Sequence, residues 1–173
     1  MRQHKWQYNK DTSSWLWRHA TFADIPAMVA LAEQQFQLEI DEIFTPEPEL
    51  YAYNLALAIT HQIYNQAHEQ LVVAVDKTSN NLLAYAWIGR GTTTPYSSDE
   101  IAEAKMAHVD LTLSTRQRLQ LLAQMLEHWI NWTRACEIPV LVSTSIRSEQ
   151  TAFMRLHTEL GFIVRGSIGY LKL

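Results

Sequence analysis

A chain of 173 residues that is 47% hydrophobic can bury a full core and is too apolar to be disordered or fibrous. The net charge of −4, with Lys and Arg scattered rather than in blocks, argues against a general nucleic-acid binder. Cys136 is the sole cysteine, which excludes a disulfide framework and a thiolate zinc cluster and suits a reducing, cytoplasmic setting.

Residues 1–14 read as a polar leader without the apolar centre of a signal peptide, and 15–173 as one domain that no linker divides. No apolar run approaches the length of a membrane span. A short strand over 15–19 leads through a turn to a helix, with Asp24 as its expected N-cap and Pro26 in the first turn. Ile25, Met28, Val29, Ala32 and Phe36 follow helical spacing on one apolar face. A connector carrying Glu39, Asp41, Glu42, Glu47 and Glu49 runs into a second helix over 47–65.

"EQLVVAVD" and "LLAYAWIGR" read as a strand pair joined by the tight turn "KTSNN". A loop containing Asp99, Glu100 and Glu103 precedes a strand expected over 105–113. Alternation there puts Lys105, Ala107, Val109, Leu111 and Leu113 on one face, and Met106, His108, Asp110 and Thr112 on the other. A polar row inside a sheet needs a cleft or a hydrogen-bond network, so His108 and Asp110 are candidates to relay a proton or simply to fix the strand. The helix that follows runs to about Ala135, with Leu119, Leu122, Met125, Leu126, Trp129 and Thr133 as its expected buried stripe. Ser114-Thr115-Arg116-Gln117 at its start matches an S-x-x-Q capping box. "IPVLVSTS" supplies a strand over 139–145, expected to be covered on both faces. A short helix over 149–160 ends at Gly161, and two short strands around Gly166 close the chain. The tryptophans at patterned positions read as core, and the seven histidines show no metal-ligand spacing along the chain.

The order is β-α-α-β-β-β-α-β-α-β, an α/β class chain. From "WRHATFADIPAM", with Arg18, Ala20 and Asp24 in register, to "RLHTELGFIVRG", with Leu160, Gly161 and Phe162, the sequence resembles the GNAT superfamily of acyl-CoA N-acyltransferases. That resemblance implies a mixed, mostly antiparallel central sheet flanked by helices, with a splay between strands 105–113 and 139–145. It also implies acyl transfer, acetyl above all, from acyl-CoA to a primary amine by direct attack without an acyl-enzyme. Cys136, which has no evident base beside it, fits no nucleophile role.

The family's pyrophosphate motif, Gln/Arg-x-x-Gly-x-Gly/Ala, is degenerate here: its best match is Gln117-Arg118-Leu119-Gln120-Leu121-Leu122, with neither glycine. By resemblance the cofactor-contacting residues are Leu111 and Leu113 of the strand, Arg116 to Leu122, and Gln150 in the position of an asparagine that faces the cofactor. His157 occupies the position of the family's tyrosine acid. Arg116 and Arg118 sit where a helix macrodipole favours acidic residues, which an anion in front of them would explain. Two readings stay open: an acyl-CoA site that leans on these arginines, or a GNAT-like domain that binds a ligand or a protein partner and does not catalyse. The carboxylate-rich connector and loop suit a cationic small-molecule or peptide amine, with ordinary surface charge as the competing reading. A homodimer is the one assembly considered, and neither nucleic acid nor membrane is an expected partner.

Overall fold

The structure, a computed structural model, describes residues 14–39, 44–145 and 151–166. Strand β1 (Trp15–His19) turns into helix α1 (Ile25–Glu39) through one 3-10 turn, Phe22–Asp24. Asp24 builds that corner. Its two carboxylate oxygens accept from the Arg18 guanidinium at 2.7 and 2.8 Å, and one of them also accepts from the Thr21 amide and hydroxyl at 2.7 and 2.9 Å. Thr21, rather than Asp24, is therefore the N-cap, and Asp24 closes a capping box on it.

Helix α2 (Pro48–Tyr64) starts on a proline, whose missing N–H costs nothing in a first turn. Strands β2 (Glu69–Asp76) and β3 (Leu82–Arg90) form the expected hairpin. Asp76 accepts from the Thr78 and Ser79 amides, and Asn80 takes the left-handed conformation at φ 59°. Strand β4 (Ile101–Val109), helix α3 (Thr115–Ala135), strand β5 (Val140–Ser143) and helix α4 (Thr151–Glu159) complete the described chain. The sheet order is β1-β2-β3-β4-β5, antiparallel up to β4 and parallel between β4 and β5.

Alternation along β2 divides the core. Leu71, Val73 and Val75 pack with Met28, Leu31, Leu55 and Ile59 beneath α1 and α2. Val72 and Ala74 share the other face with Leu121, Met125, Leu126 and Trp129 of α3. Trp15 and Trp17 both donate to Gln124 Oε1, at 2.8 and 2.7 Å, which ties β1 to α3.

Several expectations shift. The strand expected over 105–113 lies at Ile101–Val109, because the Asp110 side chain accepts from Thr112 N and Oγ1 and turns the chain out of the sheet. In α3 the buried positions include Leu121 and Trp132, while Leu119 is 42% exposed. Strand β5 is short and half-buried rather than covered on both faces, since among the described residues it is the sheet edge. No strand forms over 161–166, and 167–173 lie outside the described residues.

Helix α3 ends with Glu137 at φ 57° and the Ile138 amide on the Thr133 carbonyl at 3.1 Å, a closure that favours glycine. Glu137→Gly is expected to stabilise the protein by about 1 kcal/mol, read as a rise in the urea midpoint at unchanged slope.

Candidate active site

Strands β4 and β5 part company early. They pair only from Ile101↔Val140 to Ala104↔Ser143, after which β4 runs on through Lys105–Val109 with no described strand on that edge. A bulge bends β4 at the same place, because Trp87 faces Met106 and Ile88 faces Ala104, leaving Lys105 as the extra residue. Beneath the opening lies a cavity of about 700 Å³. Its walls are α1, the start of α2 with the residues before it, the second half of β4, α3, and the end of β5 with α4. Such a volume lies in the range of small-molecule sites.

One wall is cationic. Arg118 lines the cavity, its Nε is buried without a hydrogen-bond partner among the described residues, and its Nη2 lies 3.4 Å from Thr115 Oγ1. Trp129 Nε1 and Ser145 Oγ, both in the same lining, are also buried without partners among the described residues. Native interiors leave few such groups unpaired, so three in one lining mark a place for a polar ligand. Arg116, by contrast, is exposed and outside the lining. The start of α3 is capped as the sequence indicates: Ser114 Oγ accepts from Gln117 N at 3.4 Å, and Gln117 Oε1 accepts from the Ser114 hydroxyl at 2.7 Å.

The opposite wall carries His108. Gln35, 1% exposed, donates its amide N–H to the Val109 carbonyl, which can only accept, so Gln35 Oε1 must face the other way. There it lies 2.7 Å from His108 Nδ1, which must then be the protonated nitrogen. The pair fixes one imidazole tautomer, with Nε2 carrying the lone pair. The Tyr85 ring packs 5.0 Å from His108, and its hydroxyl is 2.7 Å from that of Tyr51, a lining residue whose phenol is held protonated by burial. Glu33 and Glu47 add carboxylates to the lining on this side.

No family model and no curated protein matches the sequence. Solved structures do. Glucosamine-6-phosphate N-acetyltransferase from Arabidopsis thaliana superposes with a TM-score of 0.65 at 13% identity, over 93% of this chain and 99% of that one. The aminoglycoside 6'-N-acetyltransferase from Acinetobacter baumannii gives 0.65 at 14% identity, over 92% and 97%. A further aminoglycoside N-acetyltransferase, solved with a CoA–acetylneamine bisubstrate analogue, gives 0.66 at 14% identity, over 93% and 99%. The chain has the GNAT fold.

Against the GNAT motif, the loop between β4 and α3 is Asp110–Ser114, and Gln117–Leu122 lies wholly inside α3. The Gln117 amide there is capped by Ser114 Oγ, and from Arg118 on the amides belong to the helical ladder, so they are not offered to a phosphate. The register chosen on apolar spacing is therefore corrected. Of the residues expected at a cofactor, Leu111, Arg118, Leu119 and Leu122 line the cavity. Leu113 packs on the core, Leu121 is fully buried in it, Gln117 is taken by the capping box, and Gln120 and Arg116 stand outside the lining. Gln150 lies outside the described residues, as do Asp41 and Glu42.

The expected His108–Asp110 pair does not form, because β4 ends at Val109 and the Asp110 carboxylate is held by Thr112. His157 stands off the cavity. It is 1% exposed, with Nδ1 2.8 Å from the Phe153 carbonyl and Nε2 2.9 Å from Ser143 Oγ, so it bolts α4 to β5 as a neutral ring. Burial pushes its pKa below the ordinary histidine value, only partly offset by the Phe153 bond. A depressed histidine contributes stability that is complete above the unfolded value and lost as pH falls toward the folded one. The melting temperature is therefore expected to drop between about pH 7 and pH 5, and to drop less in His157→Gln.

Of the acidic loop, Glu100 pairs with Arg90, and neither Asp99 nor Glu103 lines the cavity. Sequence reasoning missed Gln35, Tyr51 and Ser145. Gln35 did carry a signal, because it follows Met28 by two helical turns and so puts an amide on a buried face.

Proposed function

We propose that the protein is an acyltransferase moving an acyl group, acetyl above all, from acyl-CoA to a primary amine. The observation that carries this reading is the cavity under the parted β4 and β5 strands, with Arg118 Nε buried and unpartnered in its wall. The similar aminoglycoside enzyme was solved with a CoA bisubstrate analogue, which supports the cosubstrate. The residues present fit it. Arg118 offers a cation to a phosphate, and Leu111, Leu119 and Leu122 supply an apolar wall.

Acyl-CoA supplies an activated thioester, whose carbonyl forms a C–N bond with the amine as its C–S bond breaks. His108 Nε2 accepts the proton that the amine must lose, and Gln35 keeps that nitrogen basic. Trp129 Nε1 and the Ser145 hydroxyl offer hydrogen bonds to a carbonyl oxygen in the wall. Glu33 and Glu47 favour a cationic acceptor.

Calorimetry with acetyl-CoA, followed by thiol release across a panel of polyamines, amino sugars and peptide amines, tests the reading. Saturable binding with amine-dependent thiol release is the expected result. An absence of binding at millimolar ligand overturns it and leaves the non-catalytic GNAT-like domain, the reading that the capped start of α3 favours.

A further inference from the structure

We propose that His61, His68 and Glu69 form a binding site for a zinc-class divalent cation at the junction of α2 and β2. His61 stands in the last turn of α2. A turn closed by the His68 amide on the Asn65 carbonyl at 2.9 Å then sets His68 directly ahead of Glu69, the first residue of β2. One donor atom from each residue falls within 4.8 Å of the others. His61 Nδ1 is 2.7 Å and His68 Nε2 is 3.6 Å from the same oxygen, Glu69 Oε1, and the two rings meet edge to face at 4.8 Å.

The carboxylate is aimed. Glu69 is 4% exposed, and its other oxygen accepts from the Trp87 indole and, at 3.2 Å, from the Lys105 ammonium. Support of that kind behind a ligand orients it and holds it ionised. Burial acts to raise the Glu69 pKa, but the His61, Trp87 and Lys105 contacts outweigh it and leave the carboxyl below its usual range. The two imidazoles are about half exposed, at 43% and 48% for their side chains, so an ion has a way in and room for water as a further ligand.

Two imidazole nitrogens and one carboxylate oxygen make a donor set for Zn²⁺ and its first-row neighbours, and a poor one for Ca²⁺ or Mg²⁺. Ligand atoms bound at about 2.0–2.2 Å around a tetrahedral ion stand roughly 3.4 Å apart. The 2.7 Å His61–Glu69 pair must open by about 0.7 Å and the widest donor pair must close by up to about 1.4 Å, within reach of half-exposed rings. Ligation at His61 Nδ1 takes the place of its hydrogen bond to Glu69 and needs neutral imidazoles, so it weakens in acid. The ion would staple the end of α2 to β2. Its field would also reach Lys105, the bulge residue that lines the cavity.

The test is titration of the tag-free, chelator-treated full chain with Zn²⁺ by calorimetry, beside His61→Ala, His68→Ala and the double variant, with Ca²⁺ as a control. Circular dichroism of the variants checks folding, which exposed imidazoles should not disturb. Expected are one saturable Zn²⁺ site, binding at least about tenfold weaker in each single variant, weaker binding at about pH 6 than at pH 7.5, and no Ca²⁺ heat. Absence of Zn²⁺ binding in the native chain, or undiminished affinity in the folded double variant, overturns the proposal. These readouts do not depend on the acyltransferase reading.

Discussion

Arg118→Gln is expected to weaken CoA binding by roughly ten- to a hundredfold, while Arg116→Gln shifts it by less than about twofold. A charge-assisted bond to phosphate is worth about 1.5–3 kcal/mol, whereas an exposed arginine with no fixed partner contributes almost nothing. Of the two arginines, Arg118 alone lines the cavity and has a buried nitrogen without a partner among the described residues. The unliganded fold should tolerate the change, because Gln and Arg have similar helix propensity and an unsatisfied buried donor is removed. Calorimetry with CoA reads the affinity and a urea melt reads the stability. A destabilised Arg118→Gln with unchanged CoA affinity would show that the arginine is structural.

The start of α3 is closed without a glycine. Ser114 and Gln117 form the capping box there, and Asp110 closes the loop with its own side chain. The sequence shows the capping box plainly, because it is a local device whose partners lie three residues apart. The KTSNN turn is legible for the same reason, since Asp76 meets amides only two and three residues on. The place where β4 ends is less legible. The apolar alternation of Ala107, Val109, Leu111 and Leu113 continues past Val109 without a break, and only the Asp110 side chain stops the ladder.

What the sequence hides are the long-range partners. Gln35 and His108 are 73 residues apart, and Glu69 draws on Trp87 and Lys105 from two other strands. His61 and His68 show no ligand spacing because a helix end and a turn stand between them. A bulge at Lys105 is likewise set by the register against β3, and nothing local to β4 announces it. His157 misleads in the opposite sense. Its position in the sequence implies chemistry, yet in three dimensions the Phe153 carbonyl and Ser143 use both ring nitrogens.

The largest loss of turnover is expected at His108. His108→Asn places an amide N–H where Nδ1–H stood, so Gln35 keeps its partner while the base is gone. Loss of a general base lowers kcat by about 10²–10⁴. Acetyl-CoA affinity should stay within about threefold, because the side chains proposed to hold the cosubstrate, Leu111, Arg118, Leu119 and Leu122, are left in place. The acid limb of the pH–rate profile should flatten in the variant as the titrating base disappears. Gln35→Met separates positioning from chemistry. The thioether fills a similar volume but neither holds the Val109 carbonyl nor accepts from Nδ1, so the imidazole is free to exchange tautomers. A fall in kcat smaller than that of His108→Asn is expected, at unchanged KM for acetyl-CoA. Nitrogen NMR of labelled histidine should show the Nδ1–H form giving way to a mixture. If His108→Asn stays folded and turns over at the native rate, His108 is only a structural partner of Gln35, and the amine loses its proton to water.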